Sequence, residues 1–275
     1  MSQLKSPSPK NNNIVAKYAN DGFIAPLDIM TTQEALEIRL DFEDAEAQLA
    51  NDPEKMALLR SYPNRLLPLV DKLTRNTKLI ESASAVLGPD LMVWSAALFI
   101  KERNSPKIVS WHQDLTYWGL DDIEETTCWF ALSDASKEAG CMKFVPGTHK
   151  SKIVKHIDTF ADNNLLSRGQ EIAVEVNESE VVIAALKAGQ ASMHHGLLFH
   201  SSGPNQTNDR RIGSAIRYIK PSMRQETGDP SLVTLVSGQD QFNNFKVAEP
   251  PRGRLLEEEF ELCRKDNDLK KRLLF

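Results

Sequence analysis

The sequence predicts a mainly β fold with an α-helical N-terminal layer. Two observations carry this expectation. From Pro89 onward, short runs rich in Val, Ile, Phe, Trp and Thr alternate with turn residues such as P-G-T, K-A-G-Q and S-S-G-P-N, the texture of an all-β sandwich or barrel. Before Pro89, apolar residues recur at helical spacing behind capping signals. The 275 residues are 41% apolar and 26% charged, ordinary globular material. One domain is expected over 1–275: a helical layer at about 14–90, a β-barrel core at about 91–220 and a C-terminal extension at about 221–275.

Taken in order, residues 1–13 are polar and rich in Pro, Ser and Asn, which reads as a frayed tail. Thr31-Thr32-Gln33-Glu34 has the form of a capping box ahead of Ala35, Leu36, Ile38 and Leu40. Asp52-Pro53 opens a second, short helix with Met56, Leu58 and Leu59 as its apolar positions. A third helix is expected from about Pro63 to Val86, stopped by Gly88-Pro89. The strands follow as L-M-V-W-S-A-A-L-F-I, K-I-V-S-W-H, T-T-C-W-F-A-L, M-K-F-V, V-V-I-A-A-L, A-S-M-H-H-G-L-L-F-H and I-G-S-A-I-R-Y-I. The polar segment at roughly 150–178 lacks such runs and is expected to be a covering loop. Residues 253–275 are charged and helical in pattern.

Charge and composition narrow the function. A net charge of −5 and a pI near 5.8, with dispersed Lys and Arg, argue against a nucleic-acid partner. The first residues contain no apolar core of a signal peptide, and runs such as V-V-I-A-A-L are too short to cross a bilayer. Cys128, Cys141 and Cys263 form no C-x-x-C and read as reduced thiols of a cytoplasmic protein. Nothing in the sequence specifies an oligomeric state.

The chemistry is sought among six histidines. His112 and Asp114 flank Gln113 in S-W-H-Q-D-L-T-Y-W, and on a strand residues i and i+2 share a face. An imidazole and a carboxylate aimed at one point favour a divalent transition metal, and two His plus one carboxylate is the arrangement of iron(II) oxygenases. Alone, H-x-D is a weak signal, because most such neighbours are only a hydrogen-bonded pair. A third ligand is offered by M-H-H-G-L-L-F-H: His200 ends an apolar strand before a Gly-Pro turn, with His194 and His195 as competing choices. Arg211 heads the next strand, where a guanidinium can clamp a carboxylate through two parallel hydrogen bonds.

The ordered blocks H-Q-D-L, C-W-F-A-L-S-D, A-G-C-M-K-F-V-P-G-T-H-K and F-H-S-S-G-P-N-Q-T-N-D-R-R-I-G resemble the phytanoyl-CoA dioxygenase family. The resemblance covers about residues 90–220, with weaker similarity at V-S-G-Q-D-Q-F-N-N-F. It implies a double-stranded β-helix, a cupin-like jelly roll, carrying iron(II) and using 2-oxoglutarate and O2. His112, Asp114 and His200 then become the metal ligands. Arg211, eleven positions after His200, binds the cosubstrate in preference to Arg210, and Ser202 joins it on the distal carboxylate. Trp129 matches a family tryptophan beside the cosubstrate, although its loop is one residue shorter here. Ser201 stands where the family has Gly. His149 is then expected to shape a turn, His156 to be solvated, and His194 and His195 to pack near the site.

The implied reaction decarboxylates 2-oxoglutarate to succinate and carbon dioxide while a hydroxyl is placed on a substrate carbon. Related halogenases lack the carboxylate ligand, so Asp114 favours hydroxylation. For the substrate, Trp111, Gln113, Tyr117 and Trp118 flank the first ligands, and Lys101, Arg103, Lys107, Lys143 and Arg217 are available cations. Arg217 is an even number of residues from Arg211, so an unbulged strand points both inward. These features suit a small anionic molecule, with an organophosphonate such as aminoethylphosphonate as the specific expectation. The alternatives are an acyl-CoA or amino-acid-derived substrate, a catalytically silent ligand-binding barrel, and a zinc hydrolase or lyase using the same ligands.

Overall fold

In the computed structural model, residues 9–226 and 229–274 are described. The N-terminal part comprises α1 (Pro9–Asp21), β1 (Phe23–Asp28), α2 (Thr32–Gln48), α3 (Pro53–Ser61), α4 (Pro63–Leu66), α5 (Pro68–Thr74) and α6 (Thr77–Leu87). Residues 1–8 of the expected tail lie outside the described residues, and residues 9–13 already belong to α1. The capping box of α2 is reciprocal: Glu34 N–H donates to Thr31 Oγ1 at 3.2 Å, and Thr31 N–H to Glu34 Oε2 at 2.8 Å. Asp52 caps α3 by accepting from Lys55 N–H at 3.0 Å. The single helix expected over 63–86 is three. Pro68 holds Leu67 extended at φ −128°, ψ 110°, as the residue before a proline prefers, and Asn76 restarts the chain by capping α6 through Lys78 N–H.

The strands are β2 (Leu91–Lys101), β3 (Val109–His112), β4 (Glu125–Ala131), β5 (Met142–Phe144), β6 (His156–Asp158), β7 (Gln170–Ile172), β8 (Val182–Ala184), β9 (Gln190–His195), β10 (His200–Ser202), β11 (Arg211–Ile219), β12 (Leu232–Ser237) and β13 (Lys246–Val247), followed by α7 (Glu257–Leu274). A seven-stranded sheet runs β1-β9-β4-β11-β2-β12-β13, and a four-stranded sheet runs β3-β10-β5-β8. Their inner faces meet through Phe23, Trp129, Met142, Phe144 and Ala215. This is a jelly roll of two facing ladders, not one closed ring.

Three expectations change. The run from Ala191 to His200 divides at a turn in which Leu198 N–H donates to His195 O at 2.9 Å. His200 therefore begins β10 in the small sheet, while β9 lies in the large one. The 150–178 segment contains the β6–β7 ribbon. The large sheet also continues past residue 220, because β12 pairs antiparallel with β2.

The outer face of the large sheet carries the main core. Leu98, Phe130, Ile212 and Ile216 pack against Ile38, Phe42, Leu59, Leu73 and Leu79 of the helices. The helical layer thus backs the sheet and leaves its other face to the cavity. No described helix is long and apolar enough to cross a membrane.

Candidate metal centre and cosubstrate cavity

Antiparallel pairing of β3 with β10 sets His112 directly opposite His200, with ring centroids 4.0 Å apart. Each ring lies with Nδ1 2.9 Å from the carbonyl two residues earlier, Ser110 O for His112 and Leu198 O for His200. A proton held at Nδ1 by those carbonyls leaves the Nε2 lone pair for a metal. His112 Nε2 lies 3.6 Å and His200 Nε2 4.0 Å from Asp114 Oδ1. Strand β3 ends at His112, and Asp114 opens a single 3-10 turn (Asp114–Tyr117). The alternation expected of a strand survives because Gln113 itself is extended, at φ −116°, ψ 132°. The three donor atoms lie within 4.8 Å of one another, and all three residues are buried. A buried N,N,O set with both imidazole tautomers fixed fits a divalent iron with positions left open.

Electrostatics keep these groups in ligand form. Burial alone would raise the Asp114 carboxyl, but Arg217 and the rings of His112 and His194 hold it well below its usual range. Burial, reinforced by His112 and His194, pushes His200 well below an ordinary histidine, so its imidazole is neutral. Thr127 Oγ1 lies 3.2 Å from Asp114 Oδ2 and 2.6 Å from Glu125 Oε1. One hydroxyl hydrogen cannot serve both oxygens. Burial and the nearby Asp114 charge push the Glu125 carboxyl well above its usual range, so Glu125 keeps its proton and donates it to Thr127, which donates to Asp114. Asp114 Oδ2 is thereby occupied and Oδ1 is left facing the histidines. Neither Thr127 nor Glu125 was singled out from sequence; the available signal was that Thr127 shares the strand face of Trp129.

The competing histidines separate clearly. His194 is 1% exposed, with Nε2 3.8 Å from Asp114 Oδ2, and lines the same cavity. His195 instead accepts from Leu197 N–H through Nδ1 at 3.0 Å and faces Tyr18 and His149. His156 is not solvated as expected. It sits half-buried in β6, and its Nε2 accepts from Gln113 N–H at 3.1 Å.

A cavity reaches from the triad to Ser202, Arg211, Trp129 and Arg217. Arg211 is 2% exposed and lies with its guanidinium carbon 5.0 Å from the Trp129 ring. Gly213 makes room for this stack, since a Cβ there would come within 2.0 Å of the indole. Arg210 points to the opposite side and pairs with Glu46 and Glu102. The ladder is regular from Arg211 to Arg217, with its irregularity only after Arg217, so Arg217 also faces inward. Its guanidinium packs on Trp118 and Phe99, donates to Ser95 Oγ at 3.2 Å and leaves Nε without a hydrogen-bond partner among the described residues.

The other residues named for substrate contact are placed differently. Gln113 lines an outer chamber beside His112, Asp114 and Arg217, while its amide is engaged by backbone, donating to Leu197 O at 2.8 Å and accepting from Val154 N–H at 2.9 Å. Trp111 packs beside Val145 and Phe199, on the face of β3 opposite His112. Lys143 alternates with the inward Met142 and Phe144 and so takes the outer face of β5. The Tyr117 side chain lies outside the described residues. Leu165, Leu166 and Arg168 from the 150–178 segment line an outer chamber shared with His112, Asp114 and Arg217.

The family described as Phytanoyl-CoA dioxygenase (PhyH) matches residues 18–213. The chain belongs to this family. It is 27% identical over 170 residues to the probable alpha-ketoglutarate-dependent hypophosphite dioxygenase of Stutzerimonas stutzeri, an alignment covering 60% of this chain and 58% of that protein. It is 28% identical over 139 residues to the peroxisomal phytanoyl-CoA dioxygenase of Homo sapiens, covering 49% and 41%. The chain spans about half the length of these curated relatives. Among solved structures, the apo form of the non-heme monooxygenase ThoJ superposes with a TM-score of 0.86 at 28% identity, over 95% of this chain and 97% of that one.

Proposed function

We propose that the protein is an iron(II)- and 2-oxoglutarate-dependent dioxygenase that hydroxylates an unactivated C–H bond of a small anionic molecule, releasing succinate and carbon dioxide. The observation that carries this is the convergence of His112, Asp114 and His200 in one buried cavity with Arg211. Bound iron and 2-oxoglutarate would supply the activation of O2; the chain holds, orients and shields them. His112, Asp114 Oδ1 and His200 hold the metal, and Thr127 keeps Asp114 from turning. Arg211, Ser202 and Trp129 form the cosubstrate end. Asp114 fills the position that a halide would need, which favours hydroxylation. The buried free thiols of Cys128, Cys141 and Cys263 fit a cytoplasmic setting.

Arg217 sets the substrate class. It is 8% exposed and fixed against two aromatic rings at the junction of the inner and outer chambers. A buried guanidinium with an unmatched N–H favours a phosphonate or carboxylate there. The relative named for hypophosphite supports a small phosphorus oxyanion, and an organophosphonate such as aminoethylphosphonate is the specific proposal. The test is oxygen uptake coupled to succinate formation, with aminoethylphosphonate, hypophosphite, amino acids and phytanoyl-CoA offered in parallel. Aminoethylphosphonate should stimulate turnover, and Arg217→Met should raise its KM about tenfold or more. Stimulation by the acyl-CoA alone, or an unmoved KM, would overturn the substrate assignment.

A further inference from the structure

Arg211 has a buried lysine beside it. The ladder sets Lys101 of β2 directly opposite Arg211 of β11, so both side chains take the inner face of the large sheet. Lys101 is 0% exposed. Like charges directly opposed on one face repel, and a charge removed from water needs a counter-ion or a full set of hydrogen bonds. Among the described residues, neither side chain forms an ion pair with a carboxylate. Lys101 Nζ donates to Ser202 Oγ at 2.6 Å and to Gly203 O. Arg211 donates to the same Ser202 Oγ at 3.3 Å and to Phe99 O at 3.4 Å, while its Nε has no partner. Burial first and then Arg211 push the Lys101 ammonium down to about 6, with the Cys141 thiol opposing this and Lys143 adding to it, so the amine donates to Ser202 and Gly203 without needing a charge of its own.

This arrangement fixes the serine. A hydroxyl oxygen has two lone pairs, and Lys101 and Arg211 occupy both, so the Ser202 hydrogen is left to donate. Ser202 and Arg211 line the cavity, and the missing counter-charge is an anion placed against them. We propose that Lys101 is a positioning residue for the distal carboxylate of 2-oxoglutarate, acting through Ser202. The assignment rests on the cosubstrate reading above. It adds to that reading a residue that approaches the pocket from behind and holds the Ser202 hydroxyl in place.

The test is an anaerobic titration of the iron-loaded protein with 2-oxoglutarate, followed through its visible charge-transfer band, with iron affinity measured separately against a chromophoric chelator. Lys101→Met should raise the 2-oxoglutarate dissociation constant about tenfold or more while leaving iron affinity unchanged. In the Lys101→Met/Ser202→Ala double variant the two losses should fail to multiply, because one residue acts through the other. An unmoved dissociation constant in Lys101→Met, losses that multiply fully, or an equal loss of iron affinity would overturn the proposal. If Lys101→Met lacks a cooperative unfolding transition, Lys101→Gln is put through the same comparison with the same outcomes. No band in the wild-type protein would remove the cosubstrate reading and this proposal together. A normal wild-type band with an unaffected variant would remove only the proposal.

Discussion

Glu125 lies behind the Asp114 carboxylate, one threonine hydroxyl away. Both acids are buried, and only one can carry charge cheaply. Asp114 has Arg217 and the histidine rings around it, so it ionises, and Glu125 keeps its proton. The consequence for stability has a definite sign. The unfolded chain loses this proton near the ordinary value of 4.5, whereas the native state retains it to a higher pH. The stabilising contribution is thus complete below 4.5 and is lost as pH rises through the folded value. Glu125→Gln, which cannot ionise, should gain on wild type by about 1 kcal/mol or more between pH 5 and pH 8 in urea unfolding of the metal-free protein. A gap that stays constant with pH would mean that Glu125 is ionised in the native state. At this scale the sequence was informative where chemistry and spacing coincide, as in His112-x-Asp114 and the blocks around His200 and Arg211. Thr127 and Glu125 were missed, and Lys101 was named only as an available cation, because their roles come from which residues they face across the ladder, and no local pattern encodes that.

Among the elements, the segment between β5 and β8 covers the site, with Leu165, Leu166 and Arg168 lining the outer chamber. Its β6–β7 ribbon sits over the outer chamber, and Gln113 ties it down by accepting from Val154 N–H and donating to Leu197 O. The sequence identified a covering segment from its polarity but not the ribbon, since three-residue strands carry too little alternation to detect. The same limit explains the divided helix over 63–86, where apolar spacing continues across Pro68 and only the proline marks the break. It also explains β9 and β10, whose assignment to different sheets is a long-range matter. Gln113→Ala should release the ribbon. Losing two hydrogen bonds at a buried site costs about 1–3 kcal/mol, so amide exchange over residues 154–173 should accelerate about tenfold or more while metal affinity holds. Unchanged exchange would show that the ribbon is held by its other contacts.

On the scale of the whole molecule, function follows from giving the two faces of one sheet different work. The outer face of the large sheet is closed by the helices through Phe42, Leu59, Leu73 and Leu79. Arg39 clamps Asp209 with two hydrogen bonds of 2.7 Å, and Arg210 reaches Glu46, so the entry to β11 is pinned to α2. The inner face is then free to carry polar groups, with Arg211, Lys101 and Arg217 on rigid strands opposite His112 and His200 of the small sheet. The jelly roll was readable from the order of its sequence blocks. The joining of β1 and β12 to the large sheet was not, because both lie outside the stretch that carries the pattern.

His112, Asp114 and His200 are proposed to hold iron next to a 2-oxoglutarate site. The most direct measurement is an anaerobic titration of the metal-free protein with iron(II) and then 2-oxoglutarate, watching for the visible charge-transfer band. A band is expected only when both are present, lost in His200→Ala and kept in His195→Ala. Bound iron with no band on adding 2-oxoglutarate, or the two variants behaving the other way round, would contradict it.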